Sequence, residues 1–429
     1  MKVYMETYGC ASNKADSEII AGILEKEGFE FVRDPRKADL IIINTCIVKT
    51  PTEHRMIHRI KELSALNKPM IVAGCMPKTE RKLVEKLNPR ASMIGPDSIR
   101  EIAHVARETM KGKKVIALED SRIPKLGLPR KRENEVIGIV PIAIGCMSEC
   151  SYCITKLARG RLFSYPEDLI IAEIQNLLKE GCKEIWLTSQ DCGAYGIDMN
   201  TSLPNLLEKV CEVQGKFVVR VGMMNPMFVR RWADGLAEIY ENEKIFKFLH
   251  LPLQSGSDRV LKLMKRGYKV EDFLKIVKTF KKRIEEITLS TDIIVGFPGE
   301  TEADFRKTLK VIQQIKPDVV NISKFGPRPY TEASKMEQLP KDVVKERSRK
   351  LHELVEQIKI ERNEKWVGRS CMCIVDEVGK KSTMLARNMS YKPIVLKASK
   401  RLLGKFVEVR IEDAGKNYLR GSLVKILSG

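Results

Sequence analysis

A change of period along the chain constrains its fold more than any other feature. Up to about residue 325, short apolar runs alternate with amphipathic helical stretches; beyond about residue 367 the runs shorten and turns separate them. Strand–helix alternation is the pattern of a parallel sheet crossed by helices. Residues 3–8, 40–44 and 70–74 read as buried parallel strands, with weaker ones at 30–32 and 92–94. A helix is expected over 15–27, with Ser12 or Asn13 placed to cap it. Residues 125–135 hold two Gly/Pro breakers and a run of charge, and read as a linker. Six strand-like runs follow, at 137–144, 184–189, 217–223, 246–253, 287–297 and 319–325, each of the first five followed by helix. Six such units predict an open, partial barrel rather than the closed eight-unit form. A charged helix is expected over 341–366. Five short runs, at 371–378, 383–387, 393–398, 406–411 and 418–425, predict a small β-barrel. The expected fold class is α/β multidomain: a parallel α/β domain over 1–124, the linker 125–135, a partial (β/α)6 barrel over 136–365 and a β-barrel over 366–429.

The N-terminus lacks a charged-then-apolar signal pattern, and no apolar stretch nears the roughly 20 residues of a membrane span. A cytoplasmic protein with no membrane partner is expected. Disulfides are disfavoured there, so 11 cysteines point to metal or redox chemistry. With only five histidines, thiolate-only ligation is favoured. The formal charge is +20, and the last 65 residues, with 14 Lys/Arg and 5 Asp/Glu, hold +9 of it. Such local excess is the electrostatic footprint of a polyanion-binding module, and five short strands suit an oligonucleotide-binding barrel.

Cys146, Cys150 and Cys153 form a C-x3-C-x2-C pattern directly after the first strand of the six-unit section. Three closely spaced thiolates can hold three irons of a cubane and leave the fourth iron open. The competing reading is a three-cysteine zinc site awaiting a fourth ligand. Cys10, Cys46 and Cys75 are far apart in sequence, yet each stands just after one of the three strongest N-terminal strands. Parallel strands present their carboxyl ends on one edge, so these thiols should converge. The expected occupant is a second iron–sulfur cluster with one open iron; the alternative is three buried small apolar side chains.

The triple-cysteine loop and the six units resemble the radical S-adenosylmethionine superfamily. That resemblance implies that the open iron holds the cofactor's amino and carboxylate groups, and that reductive cleavage yields a 5′-deoxyadenosyl radical. Thr188-Ser189-Gln190-Asp191 and Thr291 to Glu300 resemble its cofactor-binding strands. Gln190 and Asp191 are implied as hydrogen-bonding groups, and Gly296 and Gly299 as points of close backbone approach to the adenosyl group. Over nearly its whole length the chain resembles one family, the radical S-adenosylmethionine methylthiotransferases. The motifs are Tyr8-Gly9-Cys10 with Asn13 and Asp16-Ser17-Glu18, Asn44-Thr45-Cys46, Ala73-Gly74-Cys75, the cysteine loop, Pro252-Leu253-Gln254-Ser255-Gly256-Ser257 and Gly296-Phe297-Pro298-Gly299-Glu300. The tail resembles the family's RNA-binding TRAM domain.

The resemblance implies conversion of a C–H bond to C–S–CH3, two 4Fe–4S clusters, and S-adenosylmethionine as radical source and methyl donor. It places Gln254 and Arg220 beside the cofactor. Partners implied are tRNA, at adenosine 37 of the anticodon loop, an electron donor and a sulfur source; the expected state is a monomer. Cys153 to Gly160 and Thr188 to Gly196 most resemble the archaeal and eukaryotic group acting on N6-threonylcarbamoyladenosine. Cys192 departs from the Thr expected there. The substrate's carboxylate suits a cationic pocket, for which Lys156, Arg159, Arg161 and Arg220 are candidates, with Lys397 and Lys400 as phosphate contacts. Rival readings are an isopentenyladenosine enzyme, a modifier of a ribosomal protein, and a non-catalytic iron–sulfur RNA-binding protein. Cys182, Cys211, Cys371, Cys373 and the histidines are expected to be structural.

Overall fold

The computed structural model describes residues 1–48, 50–380 and 382–427. Strands β1 (Lys2–Thr7), β2 (Glu30–Phe31), β3 (Leu40–Thr45), β4 (Met70–Gly74), β5 (Ser92–Ile94) and β6 (Ile116–Ala117) form one parallel sheet in the order β2-β1-β3-β4-β5-β6. β3 and β4 are buried at every position, as continuous apolar runs in a doubly covered sheet must be. The chain reverses its winding direction between β1 and β3, so their carboxyl ends open the crevice typical of such sheets. The helix after β1 runs Ala11–Lys26, four residues earlier than expected. Cys10 is its N-cap and makes no side-chain cap bond. Ser12 and Asn13 therefore lie inside the first turn, and Asn13 turns its amide elsewhere.

Residues 125–135 have no regular structure, yet they do not behave as a solvated tether. Lys125 reaches Asp16 at 2.5 Å and Arg130 reaches Glu173 at 2.9 Å, all four side chains buried. Lys125 and Arg130 thus pin this stretch to the first and second domains, while Glu133 and Glu135 are exposed.

The second section contains β7 (Ile137–Pro141), β8 (Ala143–Ile144), β9 (Phe163–Ser164), β10 (Glu184–Thr188), β11 (Val218–Val221), β12 (Phe248–His250), β13 (Thr288–Val295) and β14 (Val319–Lys324). β7, β10 and β11 pair in parallel, as do β12, β13 and β14. A bridge between Val219 and Ile245, with Phe246 N donating to the Val219 carbonyl at 2.9 Å, joins the two halves. The result is the open six-strand barrel. The first expected strand is interrupted after Pro141, and β8 turns away to pair with β9, which bounds the cysteine loop. The helix Lys341–Glu364 closes the section.

The tail strands β15 (Ser370–Val378), β16 (Thr383–Asn388), β17 (Pro393–Lys397), β18 (Phe406–Ala414) and β19 (Leu419–Ile426) close into a barrel. It docks against the amino-terminal end of the six-strand section. Ile374, Tyr391 and Phe406 pack on Val136, Val218, Phe246 and Phe248. A buried Lys392–Asp318 ion pair at 2.8 Å, with Arg362 on the same carboxylate at 2.9 Å, fixes the contact.

Candidate functional site

The N-terminal thiols stand at the carboxyl ends of β1, β3 and β4. Asn13 gathers them. Its amide nitrogen donates at 2.8 Å to the carbonyls of both Tyr8 and Thr45, tying the ends of β1 and β3 together. Its Oδ1 lies 3.8 Å from Cys10 Sγ and 4.0 Å from Cys75 Sγ. Gly9 has φ +121°, and a Cβ there would meet Cys46 Cβ at 2.8 Å; the turn needs glycine for both reasons. The three cysteines thus converge. Cys46 and Cys75 are buried and Cys10 is exposed. Burial pushes the Cys46 thiol up to about 11, and Cys75 upward too, so without a cation these groups hold their protons.

The second triad lies on the loop after β8. Gly145, at φ +79°, comes so close to the Arg161 carbonyl that no side chain fits. Its N–H donates to Gln190 Oε1 at 2.7 Å, and Cys146 N donates to the Gly160 carbonyl at 3.2 Å. Ser151 donates from its hydroxyl to the Leu263 carbonyl at 2.8 Å. Tyr152 sets its ring edge-on to Phe297, centroids 6.2 Å apart. Arg266 Nη1 donates to Cys150 Sγ at 3.2 Å. Burial pushes the Cys146 thiol up to about 12. Among the described residues no three Cys, His, Asp or Glu side chains gather on a single metal point.

Of the residues expected beside the cofactor, Gln190 braces the loop through Gly145 and reaches Ser12 Oγ of the first domain at 3.4 Å. Asp191 is buried; Oδ1 accepts from Gly193 N and Asn225 N, both at 3.0 Å, and burial pushes its carboxyl up to about 6. Asn225 in turn donates to Ser148 Oγ at 3.1 Å. Gln254 is held at φ +67° with its buried Oε1 unpaired, a strained conformation of the kind kept at ligand sites. Gly296 faces Val344 of the closing helix and its N–H donates to Glu300 at 2.9 Å; Gly299 faces Leu263. Arg220 lies lower in the barrel, its guanidinium within 5.3 Å of the rings of Trp186, Phe248 and Tyr391.

The cationic candidates separate. Lys156 pairs with Glu149, while Arg161, Lys397 and Lys400 are exposed. Arg159 is buried against Asp16 and Asn13 and does not face solvent. Cys192 is packed under Ser189 and Gly222. Cys371 and Cys373 lie side by side on β15, sulfurs 3.8 Å apart. Sequence reasoning gave no role to Arg266, 116 residues from Cys150, or to Asn13 Oδ1 as a neighbour of Cys75, 62 residues away; only the fold makes these contacts.

Residues 140–312 match the radical SAM superfamily, 2–95 the uncharacterized protein family UPF0004 and 357–424 the TRAM domain. In structure the chain is similar to the radical S-adenosylmethionine methyltransferase TsrM of Kitasatospora setae, with TM-score 0.58 and 17% identity over 78% of this chain and 75% of that one. The partial barrel and its cysteine loop define a radical S-adenosylmethionine enzyme. In sequence it is 42% identical to a probable threonylcarbamoyladenosine tRNA methylthiotransferase of Pyrococcus horikoshii, over 99% of this chain and 100% of the relative. It is 37% identical to the human threonylcarbamoyladenosine tRNA methylthiotransferase, over 99% of this chain and 74% of that one. The chain belongs to the threonylcarbamoyladenosine tRNA methylthiotransferase family. No helix among the described residues is long and apolar enough to cross a membrane.

Proposed function

We propose that the chain replaces the C2 hydrogen of N6-threonylcarbamoyladenosine 37 in tRNA with a methylthio group. The observation that carries this reading is the convergence of two separate thiol triads on adjoining faces of two domains, joined through Asn13–Arg159 and Ser12–Gln190. When bound, two 4Fe–4S clusters and S-adenosylmethionine supply the radical source, the sulfur site and the methyl donor. All-thiol donor sets of three fit cubanes with one open iron each.

The chain's own residues do the rest. Cys146, Cys150 and Cys153 hold one cluster on a loop pinned by Gln190, Ser151 and Tyr152. Cys10, Cys46 and Cys75 hold the other at the crevice of the first sheet. Gln254, with its unpaired Oε1, faces the cofactor. Arg161, exposed beside the loop, answers the substrate carboxylate, and the basic tail neutralises phosphates. The protein works as a cytoplasmic monomer that draws on an external electron donor and an external sulfur source.

The test is mass analysis of tRNA nucleosides after anaerobic reaction with tRNA carrying either N6-threonylcarbamoyladenosine or isopentenyladenosine. Methylthiolation of the first alone is expected. Product from the isopentenyl substrate alone would assign the chain to the sister activity.

A further inference from the structure

We propose that Arg159 is the positioning residue whose charge balances the anionic cluster held by Cys10, Cys46 and Cys75, and so sets that cluster's reduction potential. The inference rests on the two-cluster reading above. Arg159 ends the short helix Thr155–Arg159, which begins two residues after Cys153. It therefore belongs to the loop of the other triad. Its side chain nevertheless crosses into the first domain, with Nη1 2.9 Å from Asp16 Oδ2 and Nη2 donating to Asn13 Oδ1 at 2.7 Å. That Asn13 oxygen is the atom in contact with the sulfurs of Cys10 and Cys75.

Two cations, Arg159 and Lys125, face two carboxyls here, Asp16 and Asp97. Arg159 and Lys125 share one fully buried carboxylate, Asp16, whose other oxygen takes the Lys125 ammonium at 2.5 Å. Asp97, half-buried, acts on both Lys125 and Arg159; burial pushes its carboxyl upward and the Lys125 ammonium downward, so Arg159 is the cation that burial does not discharge. A cavity here measures about 10 Å³, between Ser12, Asp16, Lys125, Arg159, Tyr165 and Gln190, which leaves room for at most one water. Screening is therefore weak, and charges here act on one another strongly. Three thiolates around a cubane core would place further negative charge beside the guanidinium, reached through Asn13 Oδ1. Guanidinium suits the post because its planar fork spans Asp16 and Asn13 together and it never deprotonates. Potentials of such clusters follow net charge and hydrogen bonding around them, so a fixed cation favours the added electron. Seating the Cys146–Cys153 loop also seats this charge at the other triad.

The experiment uses the full chain carrying Cys146→Ala, Cys150→Ala and Cys153→Ala, reconstituted anaerobically with iron and sulfide. A potentiometric titration is followed by EPR. One electron enters the cluster core from the titrant, and no bond or proton changes. Arg159→Gln should lower the midpoint, reducing the reduced-to-oxidised ratio about tenfold at the parent midpoint, ~59 mV for one electron. Arg159→Lys, which keeps the charge, should titrate near the parent. A folded Arg159→Gln chain that takes up no iron while Arg159→Lys does would also support the role. An Arg159→Gln midpoint equal to the parent's, or Arg159→Lys and Arg159→Gln shifted alike, would overturn it. Failure of the parent triple variant to take up iron would overturn the two-cluster reading itself, and is read separately from iron content.

Discussion

Arg266 Nη1 lies 3.2 Å from Cys150 Sγ, a charged hydrogen bond from the turn after the helix Asp258–Leu263 to the middle cysteine of the loop. Arg266 is buried and its guanidinium rests 5.3 Å from the Tyr268 ring, while Tyr268 donates to the Leu253 carbonyl at 2.8 Å. Each triad thus has one buried arginine beside it, supplied from outside its own motif.

A hydrogen bond to a ligating sulfur raises a cluster's potential. Arg266→Gln should therefore make the Cys146/Cys150/Cys153 cluster harder to reduce and slow cleavage of S-adenosylmethionine on the order of tenfold, from the loss of one charged hydrogen bond. EPR titration in a Cys10→Ala/Cys46→Ala/Cys75→Ala background and 5′-deoxyadenosine yield measure it. An unchanged midpoint would show that Arg266 only packs.

The contact between the two barrels should depend on pH. Asp376 and Glu184 are fully buried neighbours, with Arg387 3.2 Å from Asp376. Burial, then the Glu184 charge, pushes the Asp376 carboxyl from 3.8 to about 8. The native chain therefore keeps a proton that the unfolded chain releases above pH 3.8. The stability this contributes is complete below 3.8 and is lost as pH rises to about 8, by up to about 1.4 kcal/mol per unit. Asp376→Asn should flatten the fall in unfolding free energy between pH 5 and 8. Denaturant titrations of the apo chain across that range check this, and parallel slopes for the two proteins would contradict it.

Binding of tRNA should be salt-dependent through the tail. Lys397 and Lys400 are exposed, so replacing both with Ala should leave the fold intact, weaken binding and lower the salt slope by about 2. Deleting the tail is a poorer test, because it strips cover from Val218, Phe246 and Phe248. Filter-binding isotherms from low to high salt give the slope. A slope unchanged by the double substitution would place the phosphate contacts elsewhere.

Strands β3 and β4 were legible as continuous apolar runs and the tail strands as short alternating ones, and β4, β5 and the tail barrel fall where the period placed them. The convergence of Cys10, Cys46 and Cys75 was legible for the same reason, since parallel strands share an edge. The start of the first helix was not: Cys10 caps it without a side-chain bond, so no capping residue marks Ala11. Residues 125–135 read as a linker because their breakers and charges are local, while the carboxylate that pairs with buried Lys125 lies 109 residues away. Arg159 is a candidate substrate cation by sequence for a like reason. Its sequence neighbours surround a cysteine loop, and its partners, Asn13 and Asp16, belong to another domain.

The two triads should be separable in function. Cys46 is buried against Gly9 and Met56 in the first domain, and Ile154 and Ala158, just after the Cys146–Cys153 loop, share its apolar cluster. Removing its thiol should leave the radical half-reaction standing. Cys46→Ala should still cleave S-adenosylmethionine to 5′-deoxyadenosine under reducing conditions, yet form no methylthio nucleoside. Cys150 sits on the loop itself and carries the Arg266 bond, so Cys150→Ala should lose both activities. Iron content should fall by about four per chain in Cys146→Ala/Cys150→Ala/Cys153→Ala, from about eight, at four irons per cubane. The decisive measurement quantifies 5′-deoxyadenosine and methylthio-nucleoside in one reaction. Methylthiolation by Cys46→Ala at a rate near that of the parent would mean that the N-terminal thiols do not carry the sulfur step.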